Sequence, residues 1–264
     1  MYRLGLLDYL RTLKSGVLKK LERYEFASIA SETKNILRDG GKLEVCQKLA
    51  HGVYYIYGMG VKGDVAEFGT MTGKTAVALS TAISECSRSL ASSDSMHGCS
   101  RPRCLYLFDS FEGLPLASCD EDVLSPHVSS GVWGRGTCKG LTAEGLLELC
   151  AKYLDISRIR VVKGWFKDTV DSTLSSPLAL IHVDGDLYES AIDALDPLFT
   201  KGLVSNGALI LFDDWNCNRS DPAYGEKKAW KDLVAKHGIV YSDEGAYGIA
   251  GHRFIVHSYS SISA

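Results

Sequence analysis

Four aspartates follow two apolar segments of the sequence, and they are the residues best suited to chemistry. The segment LIHVDGDLYES contains Asp184 and Asp186, and ALILFDDWN contains Asp213 and Asp214. If both segments are parallel strands, these carboxylates meet at one edge of a sheet, where they cannot all stay ionised without compensation. A divalent cation is the simplest compensation. Ligands that are all oxygen favour Mg²⁺, with Ca²⁺ or Mn²⁺ as alternatives.

Two residues beside this cluster have alternative interpretations. Asp186 directly precedes LYESAIDAL, where an aspartate is also a preferred helix N-cap. His182 lies two residues before Asp184 and therefore on the same face of the strand. It is a candidate proton acceptor or a packing residue. The eight cysteines show no C-x-x-C spacing, which argues against zinc and for reduced thiols in a cytoplasmic protein.

The stretch EFGTMTGKTAV is similar to a phosphate-binding loop but differs from one in spacing and charge. Three residues separate Gly69 from Gly73-Lys74-Thr75, whereas a Walker loop needs four. Glu67 precedes the first glycine, and a carboxylate there repels a triphosphate. The stretch therefore favours a cationic or neutral nucleoside, and an ATP-dependent phosphotransferase with a degenerate loop stays an alternative.

Two further apolar segments end in residues that suit a nucleoside. LYLFDSFEGLP contains Asp109, whose carboxylate can accept hydrogen bonds from both ribose hydroxyls or can cap the next turn. Gly164 is followed by Trp165 and Phe166, which can pack on a purine or belong to the core. These strand ends predict a nucleoside site beside the acidic cluster.

The elements that must position these residues alternate along the chain. Strands are predicted at residues 64–68, 104–108, 159–162, 178–183, 208–212, 238–241 and 253–257, and helices at 75–86, 142–154, 187–199 and 224–236. Strand and helix in turn indicate an α/β fold, with a mostly parallel seven-stranded sheet and helices on both faces. Two long segments interrupt this pattern. We interpret 87–103 as a mobile surface insertion and 110–140 as a lid.

Three regions are expected along the chain. Residues 1–60 form extra N-terminal helices that contact substrate or another subunit, 61–258 form the main domain, and 259–264 form a loose tail. The 264 residues carry a net charge of −3, which provides no field suited to nucleic acid. No apolar run is long enough to span a membrane. We expect a small-molecule partner and a homo-oligomer, a dimer or larger.

Several motifs together resemble the macrocin O-methyltransferase family of bacterial natural-product enzymes, over roughly residues 63–233. They are GDVAEFGTMTGKTA, LYLFDSFEGLP, VVKGWFKDTV, HVDGDLYESAIDALDPLF, ALILFDDW and YGEKKAW. The resemblance implies a Rossmann-like class I methyltransferase fold, S-adenosylmethionine and Mg²⁺ as cofactors, and methylation of a hydroxyl, often on a sugar of an antibiotic scaffold. The expected acceptor is a sugar or another vicinal diol. A non-catalytic S-adenosylmethionine-binding protein is a further alternative.

The resemblance also implies individual roles. The metal ligands would be Asp184, Asp213 and Asp214, and the proton acceptor Asp186 or, as second candidate, His182. The cofactor-binding positions would be Glu67, Phe68, Gly69, Thr70, Thr75, Asp109, Ser110, Gly164, Trp165 and Phe166. The chain departs from the family pattern after Gly69, where Met71, Thr72 and Lys74 replace a common tryptophan, arginine and glycine.

Overall fold

A computed structural model describes residues 20, 23–35, 37–90 and 102–261 of the chain. The chain divides into two compact units, with the boundary between Leu43 and Glu44. In the first unit, residues 23–35 and 37–39 are helical. The predictions for the opening segment 1–19, for most of the 87–103 insertion and for the last three residues lie outside the described residues.

Seven strands of the second unit form one sheet. In chain order they are β1 Asp64–Phe68, β2 Leu105–Asp109, β3 Ile159–Lys163, β4 Leu178–Val183, β5 Val204–Phe212, β6 Val240–Tyr247 and β7 Gly251–Ser258. Their order across the sheet is β3-β2-β1-β4-β5-β7-β6. The first five strands are parallel, and β7 is antiparallel to both β5 and β6. The predicted mostly parallel seven-stranded α/β sheet is confirmed.

The further helices of the described residues precede β1 or lie between these strands. They are α1 Lys42–Gly58, α2 Lys74–Ser89, α3 Asp120–Val123, α4 Pro126–Ser129, α5 Ala143–Cys150, α6 Phe166–Thr173, α7 Tyr188–Thr200 and α8 Gly225–His237, with short 3-10 helices at Ile156–Arg158 and Asn218–Ser220. Three helices, α3, α4 and α6, were not predicted. Each has at most eight residues and buries at most one side chain, so no apolar periodicity marks it.

Both faces of the sheet are covered by helices. Side chains of α1, α2 and α5 pack with Val65 and Leu107 on one face. Side chains of α6, α7 and α8 pack with Ala66 and Phe68 on the other. Neighbouring residues of one strand therefore both enter a core, which is why β4 is buried along its whole length and shows no alternation.

The end of the chain is anchored further than its composition indicates. The Tyr259 hydroxyl donates a hydrogen bond to the Val204 carbonyl at 2.8 Å, and the Val204 N–H donates to the same hydroxyl at 3.0 Å. Ser260 N–H donates to the carbonyl of His237. Because Val204 starts β5, these bonds tie residues 259 and 260 to the sheet and to α8.

Candidate active site

Backbone hydrogen bonds continue past the strands and hold their carboxyl ends side by side. Asp184 N–H donates to the Phe68 carbonyl at 2.8 Å, and Asp213 N–H donates to the Val183 carbonyl at 2.9 Å. The ends of β1, β4 and β5 are thereby fixed next to one another. The strand order reverses between β1 and β4, which is where open α/β sheets bind ligands.

Gly69, directly after β1, lies against the backbone of Asp184 at the end of β4. Its φ is 93°, and a Cβ added to it would lie 1.8 Å from the carbonyl oxygen of Asp184. Any side chain would overlap that oxygen, so only glycine fits here. This glycine was predicted to let the backbone approach a ligand. In the structure it lets the chain after β1 lie against the backbone of Asp184.

The turn after β1 binds a carboxylate of the protein itself. The N–H and the hydroxyl of Thr70 both donate to Asp109 Oδ2 at 2.8 Å, and Met71 N–H donates to the same oxygen at 3.3 Å. In a phosphate-binding loop, backbone N–H groups of this kind face the phosphate. Lys74 is exposed at the start of α2. The likeness to a Walker loop therefore gains no support from the structure.

Asp109 and Ser110, which were predicted to bind the cofactor, lie at the end of β2, and both already form hydrogen bonds within the protein. Asp109 Oδ1 accepts one hydrogen bond, from Phe111 N–H at 2.7 Å, which leaves that oxygen a further acceptor position. The Ser110 hydroxyl donates to the Gly113 carbonyl and accepts from Glu112 N–H within its own turn. Asp109 is therefore better placed than Ser110 to bind a ligand.

The remaining predicted cofactor positions differ in accessibility. Phe68 is fully buried, and its ring stacks on Phe108 with centroids 4.8 Å apart, so its side chain belongs to the core. Phe166 contacts the edge of Phe68 at 5.4 Å and is partly exposed. Trp165, after Gly164, precedes α6 and is partly exposed, as is Thr75 in the first turn of α2.

Glu226, which was not predicted as a site residue, joins the acidic cluster. It lies in the first turn of α8 and is buried, and its Oε2 accepts a hydrogen bond from Asp214 N–H at 2.9 Å. The sequence offered only the YGEKKAW motif as a signal. A glutamate in the first turn of a helix is ordinary, because it interacts favourably with the helix dipole. Only the packing of α8 brings this carboxyl beneath the end of β5.

Burial and mutual repulsion raise the pKa values of the acidic cluster. For Asp184, burial raises the pKa well above its usual range, and the charges of Asp213 and Asp214 raise it further. Burial and Asp214 act in the same direction on the pKa values of Asp186 and Glu226. Burial and the Asp213 charge raise the pKa of Asp214 to about 7. Bound protons or a bound cation would relieve this repulsion.

His182 is the titratable base that packs against this cluster. Its side chain is fully buried, with Nδ1 2.9 Å from Glu67 Oε1 and Nε2 4.0 Å from Asp213 Oδ1. Burial lowers the pKa of His182, but the hydrogen bond to Glu67 and the charges of Glu67 and Asp213 raise it overall. Because no surface of His182 is exposed, the structure places it as a partner of Glu67 rather than in contact with solvent.

The donor chemistry of the cluster suits a divalent cation. Three carboxylate oxygens of the cluster and one of the neighbouring Glu67 are buried without a hydrogen-bond partner, namely Asp213 Oδ1, Asp214 Oδ2, Glu226 Oε1 and Glu67 Oε2. Hard cations such as Mg²⁺ prefer oxygen ligands of this kind. The three predicted metal ligands do not, however, bring their oxygens within 4.8 Å of one another in the described chain. The residues therefore fit a cation by their charge and donor atoms, but not by the mutual distances of the three predicted ligands.

One other group, Cys119, Asp122 and Glu189, does bring its potential ligand atoms within 4.8 Å. Asp122 accepts hydrogen bonds from Tyr188 N–H at 2.8 Å and Glu189 N–H at 3.0 Å. It therefore caps α7. Asp186, for which the capping role was an alternative, is not the N-cap, because α7 begins at Tyr188 after Leu187.

The predicted lid segment packs against the residue that follows Asp186. Leu114 and Trp133 form a small apolar cluster with Leu187, directly after Asp186. Farther along the same segment, burial and then the charge of Asp186 raise the pKa of the Cys138 thiol to about 11. The lid thus contacts the segment that carries the candidate proton acceptor.

A pair of residues also joins the lid to the loop after β5. His127 N–H donates to Asn218 Oδ1 at 2.9 Å, and Asn218 N–H donates to His127 Nδ1 at 3.0 Å. Asn218 is buried and has a φ of 54°. These reciprocal bonds close the lid against the loop that follows Asp214.

The strand order, the antiparallel β7 and the site at the β1–β4 switch point define a class I methyltransferase fold. Open α/β sheets of this kind bind their ligands at the carboxyl ends of the strands. A profile of the macrocin-O-methyltransferase (TylF) family matches residues 42–241, and the chain belongs to that family. The family resemblance of the motifs is thereby confirmed.

Curated relatives and solved structures agree with this assignment. A relative from Streptomyces olivaceus, 8-demethyl-8-(2,3-dimethoxy-alpha-L-rhamnosyl)-tetracenomycin-C 4'-O-methyltransferase, is 29% identical over 66% of this chain and 60% of its own length. Demethyldecarbamoylnovobiocin O-methyltransferase from Streptomyces niveus is 32% identical over 56% and 55%. The chain thus spans little more than half the length of these relatives.

The structural comparison supports the fold. The O-methyltransferase NovP superposes with a TM-score of 0.61 at 23% identity, covering 81% of this chain and 79% of that chain. The calicheamicin methyltransferase CalS11 gives a TM-score of 0.54 at 19% identity, covering 85% and 79%. In the described ranges, none of the helices combines the length and apolar character needed to cross a bilayer.

Proposed function

We propose that this protein is an S-adenosylmethionine-dependent O-methyltransferase of natural-product biosynthesis that also requires Mg²⁺, with Ca²⁺ or Mn²⁺ as substitutes. The observation that carries the proposal is the partly buried acidic cluster at the ends of β4 and β5, beside the turn after β1, in a chain of this family. The proposed acceptor is a hydroxyl of a sugar or another vicinal diol. The name of the Streptomyces olivaceus relative, which specifies a rhamnosyl group and a 4'-O position, supports a sugar.

The cofactor would be held at the ends of β1, β2 and β3. The backbone of Gly69 and Thr70 lines the turn after β1, and Asp109 Oδ1 retains an acceptor position for a hydroxyl. Trp165 and Phe166 supply partly exposed aromatic surface after β3. Flat rings bind well against such surface. Glu67 and Phe68 are both fully buried, so their side chains would contribute to this region by packing.

The cation would be held by Asp184, Asp213 and Asp214. When bound, S-adenosylmethionine supplies a methyl group on a positively charged sulfur, and a divalent cation lowers the pKa of a nearby hydroxyl. Asp186 accepts the proton of the acceptor hydroxyl. A carboxyl whose pKa lies well above its usual range is a stronger base than an exposed aspartate, which favours this role. His182, the second candidate, is fully buried and so is less suited to it.

Binding and transfer assays test the proposal directly. Calorimetry with S-adenosylmethionine and with ATP should show binding of the first and none of the second. A panel of vicinal-diol sugars and catechols should then reveal transfer of labelled methyl groups, which a chelator abolishes and Mg²⁺ restores. Binding of ATP instead would favour the phosphotransferase alternative. Cofactor binding without transfer to any diol would favour a non-catalytic binding protein, and full activity after prolonged chelation would exclude the cation.

Without cation the Tm should fall as the pH rises, and Mg²⁺ should reverse this fall. Because the folded pKa of Asp214 is raised to about 7 from about 3.9 in an unfolded chain, the folded state binds more protons over that range. Without cation, the contribution of Asp214 to stability is therefore greatest below about pH 4, and this contribution is lost as the pH rises through about 7. Mg²⁺ should raise the Tm more at about pH 8 than at about pH 5, because protons compete with the cation for the carboxylates.

The control for this measurement is NaCl at matched ionic strength, which screens charges without binding the cluster. Each kcal/mol of stabilisation corresponds to roughly 2–4 °C in Tm for a domain of this size. An equal Mg²⁺ effect at both pH values would show that the cation does not replace protons on these carboxylates.

The proposed partners and location go beyond the site. In the first unit, Tyr24, Phe26 and Leu37 are exposed apolar residues of the helical segment, which supports a homo-oligomer contact. The stoichiometry stays a prediction, as does cytoplasmic localisation. Cys86, Cys150 and Cys217 are unpaired thiols, which is consistent with a reducing compartment.

A further inference from the structure

Glu226 connects α8 to the two consecutive aspartates after β5. Its side chain is 1% exposed, and its Oε2 accepts the hydrogen bond from Asp214 N–H at 2.9 Å. The backbone N–H of Asp213 is already bound to β4 through the Val183 carbonyl. Two successive N–H groups are thus held by different elements, the first by the sheet and the second by Glu226. This contact determines how the chain turns away from β5.

The start of α8 also lies close to the segment that contains Asp186. Gly225 has a φ of 57°, and a Cβ added to it would lie 3.2 Å from Asn218 Nδ2 and 3.7 Å from the Asp186 carbonyl. A side chain at this position would be strained and would displace Asn218. Glycine therefore lets α8 begin close to both Asp186 and the loop after β5, and so brings Glu226 within reach of Asp214.

Asp214 is held at two points. Glu226 accepts from its backbone N–H, and the Cys217 thiol donates to its Oδ1 at 3.3 Å. Its Oδ2 is buried without a partner. The backbone and one carboxylate oxygen are thus fixed by the protein, while the other oxygen is left for a ligand. Groups that orient a metal ligand in this way normally affect cation affinity.

We propose that Glu226 is a positioning residue that orients the Asp213–Asp214 pair for cation binding through its hydrogen bond to Asp214 N–H. This inference rests on the proposed function only in that the pair binds a divalent cation. The hydrogen bond, rather than the charge of Glu226, carries the effect. A side chain that retains an acceptor oxygen at this position should therefore preserve cation binding.

Two substitutions separate these contributions. Glu226→Ala removes the acceptor and the charge, whereas Glu226→Gln keeps a carbonyl acceptor of nearly the same shape and removes the charge. Glu148→Ala, at an exposed glutamate on α5, is the control. Affinity for Mg²⁺ is measured by calorimetry on each full-length variant, together with S-adenosylmethionine affinity, kcat, KM and Tm.

The expected result is a loss of Mg²⁺ affinity of about 10–100-fold in Glu226→Ala, the range typical of groups that orient metal ligands. Glu226→Gln should stay within about threefold of the wild type, and the control should be unchanged. S-adenosylmethionine affinity should be retained in all variants. In Glu226→Gln the Tm without cation should rise, because the substitution removes one buried negative charge beside other carboxylates.

Several results would overturn the inference. Equal losses of Mg²⁺ affinity in the alanine and glutamine variants would show that charge, not the hydrogen bond, matters. Wild-type affinity in a folded Glu226→Ala protein would show that the contact does not position the pair, and a wild-type protein that binds no Mg²⁺ would remove the premise. If the wild type binds Mg²⁺ but transfers no methyl group, the proposed function fails while the affinity comparison still tests Glu226.

Discussion

Replacing Asp184 with asparagine is expected to lower kcat by about 10²–10³-fold, equivalent to about 3–4 kcal/mol of transition-state stabilisation. Asparagine keeps the shape of the side chain and the backbone N–H that donates to Phe68. It removes one negative charge from the proposed cation site. Affinity for S-adenosylmethionine should change little, since Asp184 is not among the residues proposed to hold it. Steady-state kinetics and calorimetry measure the two quantities separately.

The same substitution has a distinctive effect on stability. Because burial and neighbouring carboxylates raise the pKa of Asp184, its ionised form destabilises the folded protein when no cation is present. Asp184→Asn should therefore raise the Tm without cation at about pH 8 and should reduce the further rise that Mg²⁺ produces. Asp171→Asn is the control, since that side chain is 66% exposed and pairs with Lys201. A large loss of Tm would instead attribute the loss of activity to misfolding.

Replacing Asp186 with asparagine is expected to lower kcat by about 10²–10⁴-fold, the contribution typical of a general base. Asp186 has a φ of 62°, and asparagine tolerates this conformation as well as aspartate does. The backbone of the segment should therefore be unchanged, and Mg²⁺ affinity should be nearly retained because Asp184, Asp213 and Asp214 are intact. The decline of kcat at acidic pH in the wild type should be lost in the variant, since the group that titrates is absent.

The pH profile also separates Asp186 from His182. His182→Gln removes the partner of Glu67 and should affect stability and cation affinity, because the histidine lies beneath the cluster. It should not remove the acidic limb of the profile. If His182→Gln abolishes that limb and Asp186→Asn retains it, the assignment of the proton acceptor is wrong and the histidine takes the role.

Much of the fold followed from local patterns. The strand predicted at 178–183 matches β4 in full, because a continuous apolar run of that length is typical of a strand covered on both faces. Helix ends were less predictable. The predicted helix 142–154 ends at Cys150, where the chain passes through turns before the 3-10 helix at Ile156–Arg158. The short α6 escaped prediction because only Val170 is buried in it.

The candidate site was predictable in composition but not in its contacts. Aspartates at the ends of two apolar segments are visible in the sequence, and parallel strands bring such ends to one edge. The sequence did not show that Asp109 is bound by Thr70, or that Phe68 turns into the core against Phe108. Each of these contacts joins residues about 40 positions apart.

Local sequence patterns were sufficient to predict the α/β class, the order of the strands along the chain and the residue types at the strand ends. Apolar runs, helical periodicity and turn-forming residues act over a few neighbouring positions, so they can be read without the fold. The contacts among those residues became visible only in the folded protein: Asp109 accepts hydrogen bonds from the turn after β1, His182 is buried against Glu67, and Glu226 accepts a hydrogen bond from Asp214. These contacts depend on the strand order and on how the helices pack against the sheet, and the burial they create is what shifts the pKa values of the cluster.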